Sequence, residues 1–228
     1  MDTRLLVAIE TELCAEKPVM LATIVARTGS APRGIGTAMS VSIDGEQTGT
    51  VGGGSLEYRV RQDALSLLQT GKCAVKQYEI HTDEKSVYSG AVTILFRPFA
   101  GESGRELLHD MTRALETGQE AYLVCQMLDS CALESVVLSA QALRQRRKLA
   151  SAPEEPLLTQ GENIWFVEPV LPLPRVILLG GGHVAQCMAR QLALLDYRIW
   201  VVEDRVEFAS AALFPMAERV VCSDYALA

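Results

Sequence analysis

The N-terminal part of the chain alternates between apolar runs and glycine-rich breaks. Residues 2–16 have the periodicity of an amphipathic helix, and Pro18–Thr28 is a β-branched and apolar run that predicts a buried strand. Residues 37–51 alternate around Asp44-Gly45, a dipeptide typical of a tight hairpin turn. We therefore predict a helix, a strand, a loop and a hairpin in that order.

A second helix is predicted directly after the run Gly52–Gly54. Ser55 is of a residue type that caps helix N-termini, and the helical spacing continues to about Gln69. Gly71 lies just past that end, where glycine commonly terminates a helix. The sequence therefore predicts a helix that Ser55 caps and Gly71 ends.

The middle of the chain predicts several strands around one further helix. Glu102 to about Thr117 suits a helix, whereas residues 142–163 are polar and turn-rich and indicate an excursion on the surface. Five runs predict strands: residues 73–80, 91–99, 121–128, 135–140 and 163–170.

The C-terminal part of the chain has a different pattern. A proline-rich segment, residues 169–174, is interpreted as a stiff linker. After it come a short apolar strand, a helix opened by glycines, and a second apolar strand, which is the βαβ pattern of a parallel sheet. The sequence therefore predicts an α/β protein with a small N-terminal α/β domain over residues 1–168. A Rossmann-like domain with an incomplete parallel sheet follows over residues 175–228.

The charge balance argues against several classes of function. Lys and Arg number 21 and Asp and Glu 28, which gives a net charge of -7. Such a chain repels phosphate backbones, so non-specific nucleic-acid binding is not expected. No apolar run reaches the roughly 18 residues of a membrane span, and the acidic start lacks the layout of a signal peptide. These observations predict a cytoplasmic protein that binds neither nucleic acid nor membrane.

Residues typical of metal or catalytic sites are scattered along the chain. The six cysteines lack C-x-x-C pairs, so we expect reduced thiols, most of them buried as small apolar side chains. His81 and His109 are isolated, and Asp83 and Glu84 form only a weak candidate metal corner with His81. We predict no metal site, and the sequence assigns no catalytic residue.

The most specific motif lies at the start of the C-terminal helix. Gly180, Gly182 and Ala185 fit G-x-G-x-x-A, the alanine form of the dinucleotide fingerprint. Such a turn places a pyrophosphate at the helix N-terminus, and Glu203 and Asp204 follow at about the distance expected for ribose-binding acids. The alternative is a glycine turn kept for packing alone.

His183 and Val184 open the same helix. His183 is a candidate to contact a ligand phosphate or to act as an acid or base, and the alternative is a polar residue without a chemical role.

A second glycine cluster, Gly52–Gly54, precedes the helix that contains Ser55 and Glu57. Consecutive glycines allow backbone N–H groups to form an anion-binding nest, and the alternative is a sharp bend between the hairpin and the helix. Glu57 is either a general base or an acid favoured by the helix dipole. Arg27, Ser30 and Arg33 lie in the preceding loop, as oxyanion-binding residues or as incidental surface residues.

Together these motifs resemble the XdhC/CoxI family of maturation factors for xanthine dehydrogenase and related molybdenum hydroxylases. The likeness covers roughly residues 18–70 and 168–228. It rests on four motifs. A GS-x-P loop contains Gly29, Ser30 and Pro32, and a G-x-x-GGG-x-x-E motif contains Gly49, Gly52, Gly53, Gly54 and Glu57. A G-x-GHV turn contains Gly180, Gly182, His183 and Val184, and an acidic turn contains Glu203, Asp204 and Arg205.

The resemblance implies a chaperone, not a turnover enzyme. Such a protein binds the molybdenum cofactor (molybdopterin), protects it while a terminal sulfur is installed, and delivers it to the apo-hydroxylase. Its expected partners are a xanthine dehydrogenase-like enzyme, a cysteine desulfurase and a second copy of the chain. The alternatives are an NAD(P)-binding oxidoreductase and a redox-sensing nucleotide-binding module.

The chain departs from the family pattern at two positions. Many relatives have cysteines where this sequence has Ser55 and the trio Ser89-Gly90-Ala91. A hydroxyl is a poorer ligand than a thiolate for a soft metal, so the resemblance does not extend to thiol-mediated metal contact at these positions.

Overall fold

The computed structural model describes residues 3–80, 90–117, 120–128, 131–147, 157–160, 163–170, 174–195 and 197–226. The chain divides into two compact units, Met1–Leu171 and Pro172–Ala228. Within the described ranges, no helix is both long and apolar enough to cross a membrane. The predicted α/β class is confirmed, and each unit has its own sheets and core.

The first unit contains a five-stranded antiparallel sheet with strand order β3-β2-β1-β5-β4. The hairpin turn at Asp44-Gly45 is confirmed, with Gly45 at φ 87°. The strands of this sheet are β1 (Val19–Gly29), β2 (Ala38–Ser42), β3 (Gln47–Gly49), β4 (Ala74–Ile80) and β5 (Gly90–Phe99).

The first seven residues of β1 are buried because both faces of the sheet are covered. Met20 and Ile24 pack toward α2 (Gly54–Thr70), and Leu21 packs on the opposite face with α1 (Thr3–Cys14) and α3 (Gly101–Thr117). Gly71 ends α2 in the left-handed conformation at φ 64°, as predicted. Burial on both faces therefore explains why the apolar run Pro18–Thr28 shows no alternation.

A second, four-stranded antiparallel sheet has the order β7-β6-β9-β8. Residues 142–163, for which the sequence predicted a polar, turn-rich excursion on the surface and no helix or strand, contain most of α4 and all of β8. Leu143 anchors α4 by packing against Tyr122. The strands and helix are β6 (Ala121–Leu128), β7 (Cys131–Ser139), α4 (Ala140–Arg147), β8 (Leu157–Gln160) and β9 (Asn163–Val170).

The linker prediction for residues 169–174 needs a correction at its start. Pro169 and Val170 are the last residues of β9, where they pair with Tyr122 and Ala121 of β6. Val170 is fully buried, so its apolar side chain is held in the core and does not belong to a linker.

The second unit contains a three-stranded parallel sheet in the order β10-β11-β12. A glycine turn and a helix connect its first two strands, which is the βαβ pattern expected from the sequence. Whether this piece belongs to a complete Rossmann fold stays a prediction. The elements are β10 (Arg175–Leu179), α5 (His183–Leu194), β11 (Arg198–Glu203) and β12 (Arg219–Cys222).

Candidate functional site

The N-terminus of α2 lacks a side-chain cap. Gly52, Gly53 and Gly54 have φ angles of 138°, 79° and 61°, all in the region that favours glycine. The prediction that Ser55 caps this helix is wrong. Gly53 is at the cap position, no side chain among the described residues caps the helix, and Ser55 is an exposed residue within the first turn. The first N–H groups of a helix have no acceptor within it, so α2 begins with open donors.

Two close contacts of glycine residues bring separate N-terminal segments together. A Cβ on Gly52 would lie 2.6 Å from Cγ of Pro32, so the glycine run and the GS-x-P loop are in contact. A Cβ on Gly90 would lie 2.3 Å from the carbonyl oxygen of Thr28 and 2.8 Å from that of Ser30. Glycine is therefore required at both positions. The paired ends of β1 and β5, at Gly29 and Gly90, adjoin the loop that contacts Gly52, and we call residues 28–32, 52 and 90 the loop cluster.

The remaining glycines of this cluster face open space. A Cβ built on Gly53 or Gly54 meets no atom of the described residues within 4 Å. Ser30 and Arg33 are exposed in the adjoining loop. The cluster thus combines open helix N–H groups with nearby polar and cationic side chains, which suits an anionic ligand.

Glu57 is turned back toward the glycine run. Its Oε1 accepts a hydrogen bond from the N–H of Val51 at 3.3 Å, and Thr50 Oγ1 accepts one from Gly52 at 3.1 Å. These bonds hold the approach to α2 in place. Of the two interpretations of Glu57, this contact favours a role in shaping the loop.

The C-terminal glycine turn uses its three glycines differently. Gly180 has φ 116° and permits the turn, and Gly182 precedes α5 with open space at its Cβ position. A Cβ on Gly181 would lie 2.6 Å from the carbonyl oxygen of Phe208. Sequence reasoning missed Gly181, because the fingerprint treats this position as variable and the contact comes from a distant loop.

The two acids at the end of β11 have different environments. Glu203 is fully buried, and it accepts hydrogen bonds from the N–H of Gly181 and from the N–H and guanidinium of Arg205. The Arg205 guanidinium, together with the Arg205 and Gly181 amides, holds the pKa of Glu203 well below its ordinary value. Asp204 is half exposed, and its Oδ1 accepts a hydrogen bond from the Tyr225 hydroxyl at 3.3 Å.

A cleft of about 640 Å³ adjoins the C-terminal turn. His183 and Val184 are exposed at the start of α5 and line it, and Ala185 lies beneath them against the core. Ile177, Leu179 and Met188 add apolar walls. The arrangement joins open helix N–H groups to an apolar surface, which suits a ligand with a phosphate and a flat ring.

The remaining candidates do not form a site in the described part of the chain. Within it, no cluster of His, Cys, Asp and Glu could hold a metal ion. The expectation that most cysteines are buried is wrong: of the five whose side chains are described, only Cys125 is buried, and Cys14, Cys187 and Cys222 are exposed. His81, Asp83, Glu84 and Ser89 lie outside the described residues.

The fold and these turns define a class: a two-unit α/β protein with an uncapped, glycine-rich turn before a helix in each unit. Residues 13–79 match the model of the XdhC and CoxI family. The resemblance inferred from the motifs is confirmed for this segment, which contains the GS-x-P loop and the G-x-x-GGG-x-x-E motif.

One solved structure has a similar fold over almost the whole chain. The chain is similar to a crystal structure of a xanthine dehydrogenase from Bacillus halodurans, with 20% identity and a TM-score of 0.76. The likeness covers 96% of this chain and 68% of the other. No curated protein matches the chain.

Proposed function

We propose that this protein is an accessory factor of the xanthine dehydrogenase system. It holds the molybdenum cofactor as cargo, protects it while a terminal sulfur is installed, and passes it to an apo-hydroxylase. The single observation that carries the proposal is the contact between Pro32 and Gly52, which brings the GS-x-P loop beside the uncapped start of α2. The family match over residues 13–79 supports it.

The chemistry of this loop cluster fits one part of the cargo. Molybdopterin carries a phosphate, and the open N–H groups of α2 and the exposed Arg33 suit that group. The loops from Ser30 to Gly36 and from Thr50 to Leu56 contain no cysteine. We therefore propose that this cluster binds the phosphate end of the cargo and leaves the metal to other groups.

The residues of the cluster have separate tasks in this proposal. Gly53 and Gly54 allow the phosphate to approach the backbone, and Ser30 and Arg33 supply donors from the neighbouring loop. Glu57 positions the turn through Val51. We assign no bond-breaking step to any of these residues. A carrier binds and releases its cargo, and its side chains do not react with it.

Co-purification tests the proposal. The full chain is expressed in a host that makes molybdenum cofactor, and molybdenum content and oxidised-pterin fluorescence are measured. Gly54→Leu is compared with Gly71→Leu, since both glycines have nearly the same φ (61° and 64°) and open space around them. We expect stoichiometric pterin in the wild type and in Gly71→Leu, and at least a tenfold loss in Gly54→Leu. Equal loss in both variants, or no pterin in the wild type, contradicts the proposal.

A second candidate function rests on the C-terminal turn. Gly182 has open space above it and Asp204 is exposed at the end of β11, an arrangement that suits the pyrophosphate and ribose of NAD. Calorimetry with NAD distinguishes the two candidates. Micromolar NAD binding without bound pterin favours a redox enzyme or redox sensor over the cofactor carrier.

A further inference from the structure

An exposed tyrosine follows the glycine run on α2. Among the aromatic side chains that the structure describes, Tyr58 is the most exposed at 63%, and Tyr225 is next at 40%. The hydroxyl of Tyr225 donates hydrogen bonds to Glu203 and Asp204, whereas the side chain of Tyr58 has neither a hydrogen bond nor a ring contact with any described residue. The packing of the fold therefore does not explain an aromatic residue at this position.

The helical repeat places Tyr58 on the side of α2 that faces away from the sheet. Leu56 and Val60 lie two residues to either side of it, and both are buried against the sheet. Two residues correspond to a rotation of about 200° around a helix axis. Tyr58 thus shares the outer side of α2 with the exposed Ser55, three residues earlier.

The first turn of α2 lies within reach of the Tyr58 ring. Side chains of a helix tilt toward its N-terminus, so a long side chain covers the turn before its own Cα. Along the axis, the Cα atoms of Ser55 and Tyr58 are separated by about 4.5 Å. Gly53 and Gly54 have no side chains and Ser55 has a short one, so little separates the ring from the open N–H groups.

The charges around this turn favour an anion. Residues 18–43 contain Arg27 and Arg33 and no acidic residue, in a chain whose net charge is -7. Both arginines are exposed. Glu57 is the only acidic residue of the segment 47–62, and its Oε1 accepts the hydrogen bond from the N–H of Val51. An anion bound at the start of α2 therefore meets cationic side chains and, within one helical turn, a flat ring.

We propose that Tyr58 makes the start of α2 selective for phosphate esters of flat heterocycles. The open N–H groups and Arg33 bind the phosphate, and the heterocycle stacks on the Tyr58 ring. This inference rests on the carrier function proposed above, since the pterin of the cargo is such a heterocycle. Every flat ring has a face for stacking, so Tyr58 selects a class of ligand and not one molecule.

A titration with two small phosphate esters separates the contribution of the ring from that of the phosphate. The probes are the monophosphate of 6-hydroxymethylpterin and methyl phosphate, which lacks a ring. Backbone amide NMR of the full chain measures both dissociation constants. We expect the wild type to bind the pterin ester at least tenfold more tightly than methyl phosphate, a preference of about 1.4 kcal/mol.

Three variants assign this preference to the ring of Tyr58. Tyr58→Ala should reduce the preference to less than twofold and leave the affinity for methyl phosphate unchanged, whereas Tyr58→Phe, which keeps a ring, should retain it. Gln62→Ala is the matched control, because Gln62 is exposed on the same side of α2 and lies one turn further from the glycine run. It should change neither affinity. Quenching of the pterin fluorescence, present in the wild type and lost in Tyr58→Ala, measures stacking independently.

The outcomes distinguish this inference from the function on which it rests. An undiminished preference in Tyr58→Ala overturns the inference, and so does an equal loss of affinity for both esters, which would indicate a structural role. Binding of methyl phosphate without a preference for the pterin ester contradicts the role of Tyr58 alone. Binding of neither ester by the wild type contradicts the phosphate site of the proposed carrier as well.

Discussion

Glu203 accepts a hydrogen bond from the backbone N–H of Gly181, so the last residue of β11 fastens the glycine turn that follows β10. The same carboxylate binds the guanidinium of Arg205 at 2.9 and 3.0 Å. The buried acid therefore joins two neighbouring loops at the carboxyl edge of the sheet. We therefore expect the charge on the Glu203 carboxylate to determine how strongly it stabilises the glycine turn.

The first prediction concerns pH. Because the pKa of Glu203 is lowered in the folded protein, its carboxylate stabilises the C-terminal unit above the ordinary glutamate pKa of about 4.3. That stability is lost as the pH falls below this value toward the lowered pKa. Glu203→Gln should lower the stability near pH 7 and reduce its fall in acid. Trp200 fluorescence in a Trp165→Phe background follows this unit, and an unchanged pH profile in Glu203→Gln would contradict the assignment.

The second prediction separates the glycines of the C-terminal turn. Gly181→Ala should destabilise the C-terminal unit by about 1–3 kcal/mol, because the new Cβ would lie 2.6 Å from the carbonyl oxygen of Phe208. Gly182→Ala should cost much less, since that position has open space and φ -69°. Urea unfolding followed by Trp200 fluorescence measures both. Equal destabilisation would show that the turn is not packed as described.

A third prediction tests the contact between the start of β5 and the end of β1. Gly90→Ala should destabilise the first unit by about 1–3 kcal/mol, because its Cβ would overlap backbone oxygens of Thr28 and Ser30. Gly34→Ala is the control, since nothing lies within 4 Å of its Cβ position and its φ is not in the left-handed region. Urea unfolding in a Trp200→Phe background uses Trp165 as the probe. A larger effect of Gly34→Ala would contradict the loop packing.

Cysteine reactivity provides a fourth prediction. Cys125 is fully buried beside Arg97, and burial raises the pKa of its thiol. Its reaction with a maleimide should require unfolding, whereas the exposed Cys14, Cys187 and Cys222 should react in the native protein. Mass spectrometric mapping before and after urea treatment assigns each thiol. Rapid native labelling of Cys125 would show that the region between the two sheets opens.

Local signals predicted the elements with strong patterns. The apolar run of β1, the hairpin at Asp44-Gly45 and the glycine end of α2 at Gly71 all depend on neighbouring residues, and the structure has each of them. Ser55 does not cap the helix because Gly53 is at the cap position. The backbone conformation of the glycine run decides where the helix begins, and the preference of serine for cap positions does not include it.

Long-range contacts limited the prediction of the candidate sites. The roles of Gly90 and Gly181 come from backbone oxygens that are distant in sequence, namely those of Thr28, Ser30 and Phe208. Strand β8 was missed because it is stabilised by backbone pairing with β9. Such pairing does not require a regular pattern of apolar and polar side chains, so the sequence gives little sign of it. The sequence predicted Glu203 and Asp204 as a pair of candidate ligand-binding acids. Only the structure shows that Glu203 is buried and Asp204 is accessible.

The start of α2 offers a ligand mainly backbone amides. Backbone amides at a helix N-terminus bind negatively charged groups in general and cannot distinguish one phosphate ester from another. Substitution of ordinary side chains elsewhere would change this property little, because the donors belong to the polypeptide itself. In the carrier that we propose, recognition of one particular cargo must therefore come from outside the turn. In the proposed carrier, surrounding loops or the protein that receives the cargo would distinguish one molecule from another. The turn would contribute only affinity for a negatively charged group.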